Sequence, residues 1–554
     1  MTLSTGPLRP IFSKAERPDW WRGAVIYQIY PRSFQDDNGD GIGDLKGIAR
    51  RLGHVAELGA DAVWLSPFFT SPMKDFGYDI SDYRGVDPIF GTLADFDALI
   101  VEAHRLGLKL MIDQVLSHTS DQHPWFAESR RSRDDPKADW YVWANAKPDG
   151  TPPTNWLSIF GGSSWEWDTR RSQYYLHNFL VSQPDLNFHH PEVQDALLAD
   201  VAFWLDRGVD GFRLDTVNFY FHDAQLRNNP SNPGQLGAET PALNPYSWQF
   251  HDFDKNRPEV VGFLERFRTV LDRYPGSAAV GEIGEGERAL GLMGEYTAGE
   301  SRLHMCYTFD LLGPAFAKDY LDARIRRFEA EAGTSWPCWA FSNHDVVRHV
   351  SRFTSPGLDP VAVAKLSANL ILSMRGSVCL YQGEELGLME ADLAFEDLVD
   401  PYGITFWPEF KGRDGCRTPM PWGAGDARAG FSAAEKSWLP VPAEHLAASV
   451  EAQALDETSV LAHYRRMLAF RTHEAAMRMG TITFLESPDD VLAFRRDHGN
   501  EAILCVFHLG AGPAEMPVPD GLALTPVKSL GVAGRLEDRR IVLPGLSAFF
   551  AQID

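Results

Sequence analysis

The sequence predicts an α/β protein: a (β/α)8 TIM barrel with a subdomain inserted after its third strand and an antiparallel β domain at its C-terminus. Three observations carry that reading. Short, almost continuously apolar segments recur eight times, with helix-like stretches between many of them. One gap in that series is far too long for an ordinary crossover. Beyond about residue 475 the pattern changes to apolar residues alternating with polar ones. The chain has 554 residues, 44% of them hydrophobic and 12% aromatic, enough for a large core divided among several domains.

The strand candidates are AVIYQIYP (24–31), DAVWLSPF (61–68), LKLMIDQV (108–115), GFRLD (211–215), AAVGEI (278–283), MCYTFDL (305–311), CWAFSNHD (338–345) and SVCLYQGEE (377–385). Segments apolar at both alternations suit strands covered on both faces of a parallel sheet. Amphipathic stretches such as LADFDALIVEAHRLG (93–107) and PEVQDALLADVAFWLDRG (191–208) supply crossover helices. Between the third and fourth strands roughly 95 residues intervene, against a dozen or more for a crossover, and part of that stretch (140–168) is rich in Trp, Pro, Gly and Asn. The expected division is barrel over 1–115, inserted domain over 116–182, barrel again over 183–474 with an irregular insertion at about 386–445, and a C-terminal β-sandwich over 475–554.

Charge and cysteine usage narrow the function. The formal net charge of -24 repels phosphate backbones and anionic membrane surfaces, so a neutral small molecule is the expected partner, with no nucleic acid and no membrane. Five scattered cysteines without a CxxC pair indicate neither a disulfide framework nor a zinc site. The N-terminus lacks a charged region followed by an apolar run, and no stretch of about 18 apolar residues occurs, so a cytoplasmic protein is expected.

In such a barrel the interior is packed, and chemistry sits at the C-terminal ends of the strands. Acidic and basic residues cluster there. Asp113 lies near the end of the third segment with His118 just beyond it, Arg213 and Asp215 end the fourth, Glu282 lies near the end of the fifth, and His344 and Asp345 end the seventh. Asp79 lies in the loop after the second. A lone Asp more often caps a helix or pairs with an Arg. Three acids brought to one rim are poor for stability, since buried unpaired carboxylates cost several kcal/mol, and well suited to acid/base chemistry.

At these residues the sequence resembles glycoside hydrolase family 13, the α-amylase family, over essentially its whole length. DQVLSH (113–118), GFRLDTVN (211–218), VGEI (280–283) and FSNHD (341–345) resemble its four conserved regions in order, and QPDLN (183–187) resembles the region that marks the oligo-1,6-glucosidase and α-glucosidase branch. The resemblance implies a retaining α-glucosidase. Asp215 would be the nucleophile, Glu282 the general acid/base with a raised pKa, and Asp345 the third acid. Arg213, two residues along the same strand face, would keep Asp215 ionised. His118 and His344 would donate to sugar hydroxyls. Asp79 and Arg413 would grip the non-reducing end and block longer chains. Tyr78, Phe160 and Phe179 would form an apolar wall. Thr216, beside the nucleophile, resembles the residue of maltose-cleaving relatives, implying an α-1,4 preference with possible transfer of glucose to other acceptors.

Ser117 stands where many amylases carry an Asn that binds calcium, which argues against that site. A different loop, DDNGDGIGDLKG (36–47), alternates Asp36, Asn38, Asp40 and Asp44 with glycines, with the Ile42 carbonyl between them. That spacing suits a structural Ca2+ or Mg2+, and it resembles the cation loop of the same branch. A bare Asx-turn loop is the alternative. No organic cofactor is implied. Competing readings are a sucrose-isomerase or trehalose-synthase type of transglucosylase, and a non-catalytic transporter heavy-chain scaffold.

Overall fold

The computed structural model describes residues 18–236, 240–333, 335–426 and 428–554. The N-terminal segment 1–17, in which no secretory signal is read, lies outside the described residues. Eight parallel strands form the barrel: β1 (Val25–Ile29), β2 (Ala62–Leu65), β3 (Lys109–Gln114), β4 (Gly211–Leu214), β5 (Ala278–Ile283), β6 (Met305–Thr308), β7 (Cys338–Ala340) and β8 (Ser377–Tyr381). Their order in the sheet is β6-β5-β4-β3-β2-β1-β8-β7, and a parallel bridge between Cys306 and Pro337 closes β6 onto β7.

The two-residue strand period explains the near-continuous apolar runs. Ile26, Ala62, Trp64, Met111, Ala278, Val280, Met305, Tyr307, Cys338 and Cys379 point inward and pack on one another. Their neighbours Val25, Val63, Leu110, Ile112, Phe212, Leu214, Ala279 and Leu380 point outward into the layer beneath the helices. Both sets are buried, so both alternations must be apolar.

The outer helices are α1 (Leu45–Leu58), α2 (Leu93–Arg105), α3 (Pro191–Asp206), α4 (Val260–Leu271), α5 (Ala289–Tyr296), α6 (Lys318–Glu331), α7 (Pro360–Ile371) and α8 (Val460–His473). Their ends are encoded locally. Asp44 caps α1 by accepting from the Gly47 N–H, and Gly59 ends it at φ 104°, a left-handed turn that suits glycine. Thr92 and Asp95 form a reciprocal capping box on α2, and Pro191 and Pro360 occupy first-turn positions of α3 and α7. Among the described residues no helix is long and apolar enough to cross a membrane.

Between β3 and α3 the chain builds a small three-stranded antiparallel sheet from Trp143–Ala144, Gln173–Leu176 and Trp165–Asp168, around a core with Trp156 and Trp165. Between β8 and α8 lies an irregular segment with short helices such as Pro401–Phe406 and Ala443–Ala447. The C-terminal region holds a five-stranded and a three-stranded antiparallel sheet, with Val491, Leu504, Val506, Ile541 and Phe549 sharing one core.

Candidate active site

Strand parity places the acids. Asp113 continues the inward alternation of Met111, Arg213 and Asp215 lie opposite in parity to the outward Phe212 and Leu214, and Glu282 follows Ala278 and Val280. The four groups meet at one end of the barrel interior, where apolar packing gives way to charge. Arg213 is the hub, with no exposed surface. Its Nη1 donates to Asp113 Oδ1 at 2.9 Å and to Asp215 Oδ1 at 2.6 Å, and its Nη2 lies 2.5 Å from Glu282 Oε1. The guanidinium rests over the Trp64 ring at 4.9 Å and also donates to the Tyr307 hydroxyl, which itself donates to Glu282 Oε1 at 2.7 Å. Arg213 therefore underpins the acids from below rather than facing the cavity.

Thr216 ties the two acids together from the other side. Its hydroxyl donates to Asp215 Oδ2 at 3.1 Å and its backbone N–H to Glu282 Oε2 at 3.2 Å. It does so from φ 38°, ψ 51°, a left-handed conformation that is rare for a β-branched residue.

Burial dominates the electrostatics. It pushes the Glu282 carboxyl up to about 7, with Arg213 pulling it down and Asp215 and Asp345 pushing it further up. Burial also raises Asp215 and Asp113, in each case against the pull of Arg213. One guanidinium thus serves three carboxylates, favouring the ionised form of each against the effect of burial. For Asp345 burial is outweighed: His344, Arg413 and Arg417 hold its carboxyl well below the usual range.

One end of the cavity is closed by Arg413, from the irregular segment after β8. Its Nη1 donates to Asp345 Oδ1 at 3.1 Å, its Nη2 to Asp75 Oδ1 and Asp400 Oδ1 at 2.8 Å each, and its Nε to Asp400 Oδ2 at 3.0 Å. Arg417 adds a second bond to Asp345 at 3.0 Å. The acidic partner of Arg413 on the second βα loop is therefore Asp75 and not Asp79. Asp79 is a turn carboxylate: it accepts from the Ser71 hydroxyl and from the backbone N–H groups of Lys74 and Asp75 at 2.9–3.0 Å, and is fully buried. Two aspartates flank Tyr78 in this loop, and only the chain's path shows which one faces the cavity.

The cavity, about 880 Å³ counted to its open mouth, is within the range of small-molecule sites. Asp215, Glu282, Asp345, Arg413, Asp75, His118 and Thr216 line it with Tyr78, Phe160 and Phe179. Phe160 lies beneath the Arg413 guanidinium, and Phe179 packs against His118. His344, expected to donate to sugar hydroxyls, is placed behind Asp345: it is wholly buried, with Nε2 3.1 Å from Asp345 Oδ2, Nδ1 2.8 Å from Gln28, and its ring stacked on Tyr78. Sequence reasoning missed Asp75, Asp400, Arg417, Tyr307 and the outer wall of Ile159, Phe219, Phe309 and Tyr402. Tyr307 had a usable signal, being an inward position two residues after Met305 on β6.

The 36–47 loop lies outside the acid cluster. Its oxygens are engaged mostly within the loop: Asp36 accepts from the N–H groups of Gly39 and Gly41 and from the Ser432 hydroxyl, Asn38 from Asp40, Asp40 from Ile42, and Asp44 from Asp37, Asn38 and Gly47. Among the described residues no three acidic, His or Cys side chains converge as a metal ligand set. The carboxylate, amide and carbonyl oxygens of this loop are donors of the type a hard cation takes.

Comparison with known proteins gives a consistent result. Residues 28–480 match the family model described as the catalytic domain of alpha amylase. A protein of Rhizobium meliloti (strain 1021) named "Probable alpha-glucosidase" is 60% identical, with 97% of each chain covered. The oligo-1,6-glucosidase of Parageobacillus thermoglucosidasius is 37% identical over 90% of this chain and 92% of its own. Among solved structures, the α-glucosyl transfer enzyme XgtA superposes with TM-score 0.94 at 56% identity, covering 97% of this chain and 99% of that one. The trehalulose synthase MutB of Pseudomonas mesoacidophila MX-45 gives TM-score 0.87 at 32% identity, with the same coverage.

Proposed function

The chain belongs to the α-amylase family and is a glycoside hydrolase, and from that premise we propose that it is a retaining, exo-acting α-glucosidase that releases glucose from the non-reducing end of short α-linked glucosides. Asp215 attacks the anomeric carbon while Glu282 gives its proton to the leaving oxygen, forming a covalent β-glucosyl ester. Glu282, now ionised, takes a proton from the incoming water, which displaces Asp215 and restores the α configuration. Asp345, held ionised by Arg413 and Arg417, supports the positive charge that builds on the ring. The retaining reading is supported by the two acids sharing one guanidinium and one threonine, which holds both carboxyl groups against the same anchors at one end of the barrel.

The observation that carries the exo reading is the closed end: Arg413 bound at once to Asp75, Asp345 and Asp400 bars passage of a longer chain beyond one sugar. The test is hydrolysis of a panel of α-glucosides, including maltotriose, by wild type and Asp215→Asn. Glucose as the first product, with activity lost in the variant, is expected; early mixtures of longer products, or full activity in the variant, would remove the proposal.

An α-1,4 preference, maltose above isomaltose, is the finer reading of Thr216, a contact worth about 1–3 kcal/mol of discrimination. The apolar outer wall of Ile159, Phe219 and Phe309 favours apolar acceptors, and with the likeness to XgtA it supports transglucosylation beside hydrolysis. The likeness to a trehalulose synthase favours a second reading, sugar isomerisation. Sucrose as substrate separates the two, since isomeric disaccharides rather than free glucose would favour isomerisation. The 36–44 loop is proposed as a structural Ca2+ or Mg2+ site on its spacing and oxygen donors, and no catalytic step depends on it.

A further inference from the structure

Three side chains beside the nucleophile form a line that the reaction outlined above does not use. Thr216 Oγ1 is 3.1 Å from Asp215 Oδ2, Ser117 Oγ is 3.3 Å from Thr216 Oγ1, and His118 Nδ1 is 2.9 Å from Ser117 Oγ. A hydroxyl has one proton to give, so the line has a direction, and whichever group sets the first proton sets the rest.

We propose that Ser117 and Thr216 are positioning residues forming a hydroxyl relay that carries a hydrogen-bond polarity from the imidazole of His118 to the nucleophilic carboxylate of Asp215. The proposal rests on the reading of Asp215 as nucleophile.

The direction depends on which neighbour of His118 Nε2 is satisfied, Gln183 of the QPDLN segment or the Tyr78 carbonyl, and on the anion at the far end of the line. Gln183 Oε1 accepts from the Leu180 N–H at 2.9 Å and its Nε2 donates to Asp75 Oδ2 at 3.0 Å, so the carboxamide cannot be turned over without losing both bonds. The same Nε2 faces His118 Nε2 at 3.2 Å, and its second N–H requires a lone pair there. The Tyr78 carbonyl, 3.1 Å from the same ring nitrogen, would prefer a proton. The balance goes to Gln183 because the resulting chain ends on an anion. His118, kept neutral by burial, carries its proton on Nδ1 and donates to Ser117, Ser117 donates to Thr216, and Thr216 donates to ionised Asp215. With the opposite tautomer Ser117 would donate to His118, Thr216 would turn to Ser117, and Asp215 Oδ2 would lose its donor. The left-handed backbone of Thr216 is what points its hydroxyl at Asp215 while its N–H meets Glu282.

Other groups also face Asp215: Arg213 on its own strand, Asp113 on β3, Glu282 on β5, Asp345 beyond β7, and the phenols of Tyr78 and Tyr220. None of these is altered when a hydroxyl is removed from the relay, so its contribution can be isolated.

The experiment is the pH profile of kcat/KM on p-nitrophenyl α-glucoside for wild type, Thr216→Val, Thr216→Ser, Ser117→Ala and the Thr216→Val/Ser117→Ala double variant, with Asp215→Asn alongside. Loss of a donor to a carboxylate disfavours its charged form, so the acidic limb moves up by about one pH unit in Thr216→Val, with kcat/KM well below the limb about tenfold lower. Ser117→Ala moves the limb the same way by less, and the double variant goes no further than Thr216→Val, because both act through one bond. Thr216→Ser returns the limb to its wild-type place. An unmoved limb in Thr216→Val and Ser117→Ala, or shifts that add in full, would overturn the relay. With Asp215→Asn inactive, such a result sinks the relay alone; an active Asp215→Asn sinks the nucleophile reading beneath it.

Discussion

Replacing Glu282 by Gln tests the electrostatics of the site through stability rather than rate. The carboxyl titrates at about 7 instead of its ordinary 4.5, chiefly because burial penalises its charge. Each pH unit is worth about 1.4 kcal/mol, so above pH 7 the ionised form costs the fold about 3 kcal/mol. Between 4.5 and about 7 the native state binds more protons than the unfolded chain, so this group makes stability fall as pH rises through that window. Gln is uncharged at every pH and removes the slope while leaving a constant offset from its altered hydrogen bonds. An unfolding entropy of about 2 cal/mol/K per residue over this chain makes about 3 kcal/mol equivalent to roughly 3 °C. The melting temperature of Glu282→Gln relative to wild type is therefore expected to rise by about 3 °C between pH 4.5 and pH 8, as hydrolysis falls at least about a hundredfold. The assay is a pair of thermal scans at matched ionic strength. A difference that stays flat with pH, or falls, would refute the claim that burial holds this proton.

Arg413→Lys keeps the charge but loses the fork that spans Asp75, Asp345 and Asp400, so kcat/KM on maltose should fall about a hundredfold or more with the fold intact by circular dichroism. Arg413→Ala should also destabilise the protein, by about 3–5 kcal/mol in denaturant titration, because it strands buried carboxylates. Asp75→Asn and Asp79→Ala should separate: the first raises KM, whereas the second mainly lowers stability, by about 1–2 kcal/mol, through loss of the turn bonds to Lys74 and Asp75. If the 36–44 loop takes Ca2+, ion at a hundred times its Kd should stabilise by about 2.7 kcal/mol in a thermal scan with and without chelator, and Asp40→Ala should abolish the gain.

The barrel was legible because a parallel sheet covered on both faces demands apolar residues at both alternations, as in β3 with Leu110 and Ile112 outward and Met111 inward. The acids were legible for the same reason: Asp113, Asp215 and Glu282 interrupt inward positions, where charge is costly. The loop residues were harder. Asp75 and Asp79 flank the same tyrosine, and the choice between them depends on which carboxylate is consumed by the turn. Asp400, Arg413 and Arg417 sit in a segment with little regular structure, so no period marks which side chains point inward. Arg413 was recoverable only through its motif, and Asp400 had no such signal. The role of Gln183 could not be read at all, since it depends on which end of its amide Leu180 and Asp75 claim.

The central claim is that Asp215 and Glu282 act on one anomeric carbon in two successive displacements. Proton NMR of the first sugar released from an α-glucoside, recorded before mutarotation, tests it most directly. α-Glucose is expected from the wild-type protein; β-glucose as the initial product would mean a single inverting displacement and contradict the account.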